Sequence, residues 1–432
     1  MISIAPFRFD VTPPLGHALL GGLVPSAGAI DDQLEAIGYV LLSNEAPIVV
    51  CVLDWAGLMN SAHHKFRTAL ATAAGTTPDR VALHCVHQHN APFVCEETRI
   101  RLAQLPGLPP VFDPGFFQVC LQRGQEAIRA ALAQSTPVTH IGHGSAPVHH
   151  VASNRRMHRN SHGRVLAMRG SSCTDPELID QPEGEIDPDL QTIAFFSGAK
   201  KIVSAYTYAT HPMSFYRDGR VTSDFCGLAR KQRQREDPQC TYLYFTGCAG
   251  NIAAGKYNDG TPAAREELTR RMHAAMIRSD SDLSPEPLDN VAWLQTPLPT
   301  SSRSVPTVEE LGSTVSGPEA DWVGQILRAY WESWHDRVRN HGTLDLSCLR
   351  LNDISILHLP GEPFIDFQLH ARGLRPDKPV ITIGYSDGGP WYIPTAGEYS
   401  NSGYEIAVAF SEPTFATALF AGIERLLDPT SG

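Results

Sequence analysis

The chain has 432 residues, of which 42% are hydrophobic and 19% charged, so it can bury a large core and is not disordered. Its formal net charge of −11 comes without a block of Lys or Arg, which argues against binding to nucleic acid or to an anionic membrane surface. No signal peptide is recognised, and no apolar run approaches the roughly 20 residues of a membrane span, so we expect no stable membrane insertion. We expect a cytoplasmic protein whose nine scattered cysteines are reduced and mostly buried.

Strand-like and helix-like segments alternate through most of the chain. Apolar runs predict strands at 37–42, 48–53, 80–86, 138–142, 190–196, 202–208, 241–245, 344–351, 354–359 and 380–384. Periodic apolar positions predict helices at 60–74, 116–133, 225–236, 263–277, 320–339, 363–372 and 412–427. Mixed strands with interleaved helices predict an α/β fold, which we assign to one large domain over residues 1–432.

Two stretches near the C-terminal third stand apart from this alternation. Residues 279–318 are rich in Ser, Pro and Asp, which predicts a surface excursion or a loose connection. The helix predicted at 320–339 carries three tryptophans, and packing onto the core is favoured over a ligand platform. They are Trp322, Trp331 and Trp334.

A reactive pattern follows the predicted strand at 80–86, where residues 87–92 read HQHNAP. Because side chains alternate along a strand, His87 and His89 are expected to point to the same face at a sheet edge. Two neighbouring imidazoles can begin a metal site or form an acid–base pair.

Four other segments place a reactive side chain beside a predicted strand end or in a loop. They carry His211, Glu362, Tyr392 and Arg155. Each has an ordinary alternative: a hydrogen-bonded structural histidine, a carboxylate at a helix N-terminus, a packed aromatic ring and a solvated basic turn. Together, however, two histidines and a glutamate can supply the three protein ligands of a catalytic zinc, with a further position left for water.

Taken in order, these segments resemble the catalytic N-terminal domain of the neutral/alkaline (non-lysosomal) ceramidase family. That family has an early Asp-Val-Thr-Pro-Pro, found here at 10–14, and a His-Thr-His-Ser-Gly-Pro, matched at 87–92. Its Asn-Arg, Val-Asp-Pro and His-Pro-Thr-Ser segments are echoed at 154–155, 186–188 and 211–214, and its Ser-Asp at 223–224. Its Pro-Gly-Glu turn and its Tyr-Val-Thr-Thr-x-Glu-Glu-Tyr with a later Tyr-Glu fall at 360–362, 392–399 and 404–405.

The resemblance covers nearly the whole chain and implies a zinc-dependent amidohydrolase that cleaves an N-acyl amide bond. Carried over from the family, the Zn²⁺ ligands are His87, His211, Glu362 and Tyr392. The groups that contact the scissile amide are His89, Arg155 and Tyr404. The implied partner is a small N-acyl or lipid-like substrate.

Two departures from the family change what we expect. The family's Gly-Asp-Val-Ser-Pro-Asn loop reads GNIAAG at 250–255, so Ala253 replaces its serine and zinc-activated water is the expected nucleophile. The family's C-terminal β-sandwich domain and export signal are not recognised here, so we expect a substrate smaller or more soluble than membrane ceramide. Two alternatives stay open, namely a non-catalytic metal- or ligand-binding protein on the same scaffold and a zinc esterase.

A second metal site is not predicted from the remaining histidines, because they lack regular ligand spacing. We expect solvent-facing side chains for this group, which consists of His140, His143, His149, His150, His158 and the helical pair His63 and His64.

Overall fold

The structure is a computed structural model that describes residues 2–314 and 320–428, and it confirms the α/β class. Within these residues the α-helices are Ser61–Ala74, Glu96–Leu102, Pro114–Leu132, Pro176–Asp180, Asp224–Glu236, Pro262–Ser281, Val308–Gly312, Ala320–Arg339, Ile365–Leu374, Tyr404–Ala407 and Pro413–Leu427. Short 3₁₀ turns occupy Leu20–Gly22, Pro78–Arg80 and Ala396–Ser400. All the predicted helices are present, with ends that differ by a few residues.

The first sheet is mixed. Its strands, in spatial order, are Val81–Cys85, Ile48–Leu53, Glu35–Leu42, Ser3–Asp10 and Thr136–Pro137. The strand Val81–Cys85 runs parallel to its neighbour, whereas the other pairings are antiparallel.

The second sheet is also mixed. Its strands, in spatial order, are Thr241–Thr246, Lys200–Tyr208, Asp189–Ser197, His140–Pro147 and Ser284–Pro287. The predicted hairpin is present as the antiparallel pair Asp189–Ser197 and Lys200–Tyr208, and Thr241–Thr246 joins it in parallel.

The third sheet has four strands, which are Val291–Leu298, Leu344–Leu351, Ile354–His358 and Val380–Ile383. The last two are parallel. Strands of two or three residues form five further pairs: Gly57–Leu58 with Phe93–Val94, Ala29–Ile30 with Arg220–Val221, Ser153–Asn154 with Ile252–Ala253, His158–Arg159 with Val165–Ala167, and Glu362–Pro363 with Tyr392–Ile393.

Edge strands occupy part of the segment 279–318, whose composition predicts a surface excursion. Ser284–Pro287 closes one edge of the second sheet, and Val291–Leu298 forms an edge of the third. Proline is tolerated at a sheet edge because its missing N–H faces away from the ladder. Residues 315–318 of that segment lie outside the described residues.

The first two sheets pack face to face, and helices cover their outer faces. Tyr39 and Phe195 meet across the interface with ring centroids 5.2 Å apart. Ser61–Ala74 and Pro114–Leu132 cover the first sheet, whereas Pro262–Ser281 packs on the second. This arrangement buries both faces of each sheet, which explains the nearly continuous apolar runs of the strands.

Parallel strands in the three sheets bring their carboxyl ends to one place. The Thr246 hydroxyl donates to the Val86 carbonyl at 2.7 Å, and the Thr246 carbonyl accepts from the Gly384 N–H at 3.0 Å. The Cys85 N–H donates to the Tyr385 carbonyl at 2.9 Å. Ligand sites of α/β proteins lie at the carboxyl ends of parallel strands, so this junction is where a site is expected.

The tryptophans, the cysteines and the helices can be compared with what the sequence predicts for them. Trp331 and Trp334 are fully buried in the core, as expected. The nine cysteines all fall within the described residues, and each is a free thiol. Across residues 2–314 and 320–428, every helix is too short or too polar to cross a membrane.

The prediction of solvent-facing histidines is wrong for two parts of that group. His63 is buried, because its helix face packs on the first sheet and its Nε2 donates to the Leu83 carbonyl at 3.1 Å. His140, His143 and His158 lie in strands and are half-buried, whereas His64, His149 and His150 are exposed.

Candidate active site

His87 lies in a tight turn just beyond the strand Val81–Cys85. Its φ of 75° is left-handed, and its N–H donates to the Trp55 carbonyl at 2.9 Å. Its Nδ1 is 2.7 Å from the Ala56 carbonyl oxygen. Because a carbonyl can only accept, Nδ1 carries a proton, and in the neutral ring the lone pair that faces the site is therefore on Nε2.

The prediction that His87 and His89 share a face because side chains alternate along a strand gives the wrong cause. The strand ends at Cys85, so the turn sets the direction of both side chains. Their rings nevertheless meet, with centroids 5.0 Å apart.

His211 is oriented in the same way as His87, on the loop after the strand Lys200–Tyr208. Its N–H donates to the Ile252 carbonyl at 3.0 Å, and its Nδ1 lies 2.7 Å from the Ala249 carbonyl oxygen. Burial lowers the pKa of His211 to about 4, so the ring is neutral near pH 7 and its Nε2 is a lone-pair donor.

Glu362 lies between the two imidazoles and is buried. Its Oε2 is 3.1 Å from the His87 Nε2 and 3.2 Å from the His211 Nε2. Burial by itself would raise the pKa of Glu362, but His87 and His211 hold that pKa below its usual value, so the group is a carboxylate. The Nε2 atoms of the two histidines and the Glu362 carboxylate therefore converge, while each Nδ1–H is already bound to a backbone carbonyl. A cation placed between these three donors would stabilise the arrangement.

Gly250 makes this convergence sterically feasible. A Cβ at this position would lie 2.4 Å from the Glu362 carbonyl oxygen. Only glycine therefore lets the loop that contacts His211 through the Ala249 carbonyl approach Glu362 so closely. The Gly250 N–H donates to the Pro363 carbonyl at 2.9 Å, which ties the two segments together.

Tyr392 is the register partner of Glu362 in a two-stranded parallel pair. Its hydroxyl lies 3.4 Å from the His211 Nε2 and 3.3 Å from an Nη of Arg155. Burial, followed by the nearby Glu362, raises the pKa of Tyr392 well above its usual value. The phenol thus lies at the edge of the His–Glu cluster and beside a guanidinium.

Arg155 is held by the short strand pair between 153–154 and 252–253. Its N–H donates to the Asn251 carbonyl at 2.9 Å, and its guanidinium contacts the Gly250 carbonyl. The Glu405 carboxylate is 3.1 Å away. Burial would lower the pKa of Arg155, but Tyr392 and Glu405 raise it, so the guanidinium is a fixed positive charge.

The adjacent Arg156 rules out the alternative of a solvated basic turn. Its side chain is fully buried and pairs with Glu405 at 2.9 Å and with Glu398 at 2.6 Å. Arg155 and Arg156 therefore share Glu405, and this buried ionic network stabilises the segment that carries the two arginines.

His89 and Tyr404 line a cavity of about 530 Å³ beside the cluster, together with Arg155 and Tyr392. Both ring nitrogens of His89 are buried and have no hydrogen-bond partner in the described part of the chain. The Tyr404 ring lies 5.9 Å from that of Tyr392. Apolar side chains form much of the remaining wall, namely Leu20, Leu23, Val24, Met213, Val323 and Leu327.

The structure thus brings all seven predicted site residues to one place. The ligand atoms of His87, His89 and His211 lie within 4.8 Å of one another, which makes His89 a second geometric candidate for metal binding. A larger cavity of about 740 Å³ lies between Glu96–Leu102 and Ala320–Arg339, but these reactive groups do not line it.

Sequence reasoning did not find Tyr385 or Tyr216. The Tyr385 ring stacks on His87 with centroids 4.5 Å apart, and the Tyr216 ring meets His89 edge-on at 5.4 Å. Tyr385 follows the apolar strand Val380–Ile383, so the strand-end pattern that indicated His87 could have indicated it as well.

Ala253, which stands where the ceramidase family has serine, is fully buried in the strand pair with Ser153. It does not line the 530 Å³ cavity.

Comparison with known proteins identifies the fold of the chain. No protein-family model and no curated protein sequence matches the chain. A solved structure of a ceramidase complexed with C2 superposes with a TM-score of 0.73 at 14% identity, covering 99% of this chain and 74% of that one. The chain has a neutral-ceramidase-like fold. The neutral ceramidase from Pseudomonas aeruginosa gives a TM-score of 0.72 at 15% identity with the same coverage, so the ceramidase-like architecture extends over nearly all of the present chain.

Proposed function

We propose that this protein is a zinc-dependent hydrolase that cleaves an N-acyl amide bond. The observation that carries the proposal is the convergence of two imidazole lone pairs and a carboxylate oxygen within 3.2 Å, next to a phenol and a buried guanidinium. The ceramidase-like fold supports the same assignment, because the two solved structures compared above are ceramidases.

The donor set fits zinc. The residues that would hold it are His87, His211, Glu362 and Tyr392, which offer nitrogen and oxygen ligands of the types zinc prefers. When bound, zinc would lower the pKa of water to roughly 7 and polarise a carbonyl oxygen. His87 and His211 each donate their other ring N–H to a backbone carbonyl, as ligating histidines generally do.

His89 is better suited to proton transfer than to metal binding. Neither of its ring nitrogens has a partner, within the described residues, that would fix a ligating tautomer. Burial, then the neighbouring His87 and His211, lowers the pKa of His89 well below its usual value, so the ring is neutral near pH 7. A neutral imidazole facing the cavity can accept a proton from the attacking water and return it to the leaving nitrogen.

Arg155 and Tyr404 would orient the substrate. The Arg155 guanidinium is fixed by Glu405 and the Gly250 carbonyl, so its fork of donors is preorganised towards the cavity. The Tyr404 hydroxyl can donate to the oxygen of the scissile carbonyl as negative charge develops there. These contacts are those expected for an acyl-transfer site.

The cavity suits an amide with an apolar acyl group of limited size. Its volume of about 530 Å³ lies in the range that encloses a small ligand. We therefore propose an N-acyl substrate that is smaller or more soluble than ceramide held in a bilayer.

Metal analysis and a substrate panel together test the proposal. The purified protein should contain about one zinc per chain and should hydrolyse at least one member of a panel of N-acyl amino alcohols and N-acyl amino acids. His87→Ala and Glu362→Ala should lose both zinc and activity, whereas His64→Ala, at an exposed position on a helix, should lose neither. Zinc binding without turnover would favour a non-catalytic protein, and hydrolysis of simple esters alone would favour an esterase.

A further inference from the structure

Tyr385 occupies an unusual position beside the candidate metal centre. Its φ of 60° is left-handed, a conformation that bulky residues seldom adopt. The backbone is held there on both sides, because the Tyr385 N–H donates to the Gly361 carbonyl at 2.9 Å and its carbonyl accepts from the Cys85 N–H at 2.9 Å. Backbone strain of this kind is concentrated at functional sites.

The ring of Tyr385 packs directly on a candidate ligand. It stacks on His87 at 4.5 Å with an interplanar angle of 27°, and it meets His211 edge-on at 6.2 Å. Tyr385 is 4% exposed and does not line the 530 Å³ cavity. It therefore lies on the protein side of the cluster, away from the position proposed for the substrate.

The hydroxyl of Tyr385 is buried and has no hydrogen-bond partner among the residues described. A buried hydroxyl without a partner is costly, and native proteins rarely keep one without a reason. Tyr385, His87 and Glu362 line a common small cavity of about 10 Å³. The Oε2 of Glu362 likewise lacks a hydrogen-bond donor with good geometry in the described structure.

We propose that Tyr385 is a positioning residue for the metal centre. When the metal is bound, its hydroxyl donates to the Glu362 carboxylate across the small cavity that the two share, while its ring fixes the plane of His87. A hydrogen bond of this kind would hold the carboxylate in its ligating orientation, as groups behind metal ligands commonly do. This inference rests on the proposed function, since it assumes that His87 and Glu362 bind the metal.

Tyr385→Phe isolates the hydroxyl, because the ring and its stacking on His87 are kept. We expect zinc affinity, measured by competition with a chromophoric chelator, to fall about 10- to 100-fold. At saturating zinc the variant should keep a KM close to that of the wild type, because Tyr385 does not reach the substrate cavity. Tyr385→Leu, which also removes the ring, should bind zinc more weakly still.

Tyr39→Phe is a matched control, since it removes a phenol hydroxyl from a buried ring at the sheet interface. It should leave zinc affinity unchanged. Wild-type zinc affinity in Tyr385→Phe would overturn the proposal, and so would a loss of affinity only in Tyr385→Leu, because the ring alone would then matter. Failure of the wild-type protein to bind zinc would instead contradict the proposed function, so the two failures are distinguishable.

Discussion

Glu362 and Tyr392 are direct partners in the register of a two-stranded parallel pair. The Glu362 N–H donates to the Trp391 carbonyl at 2.8 Å, and the Phe364 N–H donates to the Ile393 carbonyl at 3.1 Å. Both oxygen ligands of the proposed zinc site are therefore set by one backbone ladder. A change that moves either strand would displace both oxygens together.

Tyr392→Phe tests whether the phenol is a ligand or only a packed aromatic. We expect zinc affinity and kcat/KM to fall at least about tenfold, because the ring remains but one donor oxygen is lost. Isothermal titration with zinc and steady-state kinetics would measure the two effects. Tyr399→Phe, whose hydroxyl donates to the Ser411 carbonyl at 2.9 Å, is the control. Equal zinc affinity in the two variants would exclude Tyr392 from the ligand set.

Arg155→Lys should impair the reaction although the charge is retained. The guanidinium reaches Glu405, the Gly250 carbonyl and the Tyr392 hydroxyl at once, which a lysine ammonium at the end of a flexible stem cannot reproduce. We expect kcat/KM to fall about 10- to 100-fold, the equivalent of one charge-assisted hydrogen bond. Kinetics at saturating zinc would measure it, and full activity in the lysine variant would show that charge alone suffices.

Arg156→Ala should destabilise the whole fold. It removes the fully buried guanidinium that joins Glu398 to Glu405 and leaves Arg155 as the remaining buried partner of Glu405. Breaking a buried ionic network costs about 3–5 kcal/mol. Urea unfolding would report the loss. Arg270→Ala, which removes an exposed i,i+3 pair with Glu267, should change the free energy of unfolding by less than about 0.5 kcal/mol. Similar unfolding midpoints for the two variants would contradict the argued role of burial.

His63 should make the fold sensitive to acid. Burial lowers the pKa of His63 to about 4, even though Asp387 opposes the shift, whereas the unfolded value is near 6.5. The neutral ring thus stabilises the folded state above pH 6.5, and this contribution of roughly 3 kcal/mol is lost as the pH falls towards 4. His63→Gln should flatten the pH dependence of the unfolding free energy in that window. An unchanged slope would show that His63 does not titrate on unfolding.

Ala253→Ser should not add catalytic power. The side chain lies in a buried strand pair that does not line the cavity, so a hydroxyl there would not reach the substrate. We expect unchanged kcat/KM and a loss of about 1–3 kcal/mol in stability, because the hydroxyl would be buried without a partner. A rise in kcat would mean that the family's serine position is functional in this chain as well.

Much of the site could be predicted because its residues follow recognisable strands. His87, His211 and Glu362 come just after the apolar strands that end at Cys85, Tyr208 and His358. Sequence motifs then placed Arg155, Tyr392 and Tyr404, which lie in or beside elements too short to show a periodic pattern. The metal itself, its ligand set and the substrate stay predictions.

Other features depend on tertiary contacts that no local pattern encodes. Tyr385 enters the site only because its backbone takes a left-handed conformation that two distant hydrogen bonds impose. His63 is buried because of the face its helix presents to the first sheet. The composition of residues 284–287 resembles that of a loop, because an exposed edge strand accepts the same residue types as a loop.

The edge strand Ser284–Pro287 has a consequence for the behaviour of the protein in concentrated solution. All four of its residues are exposed, yet Pro285 and Pro287 offer no N–H, and Glu286 adds a negative charge. A sheet margin of this kind is a poor template for a strand from another molecule. The large second sheet is thereby protected at this border against self-association into fibrils.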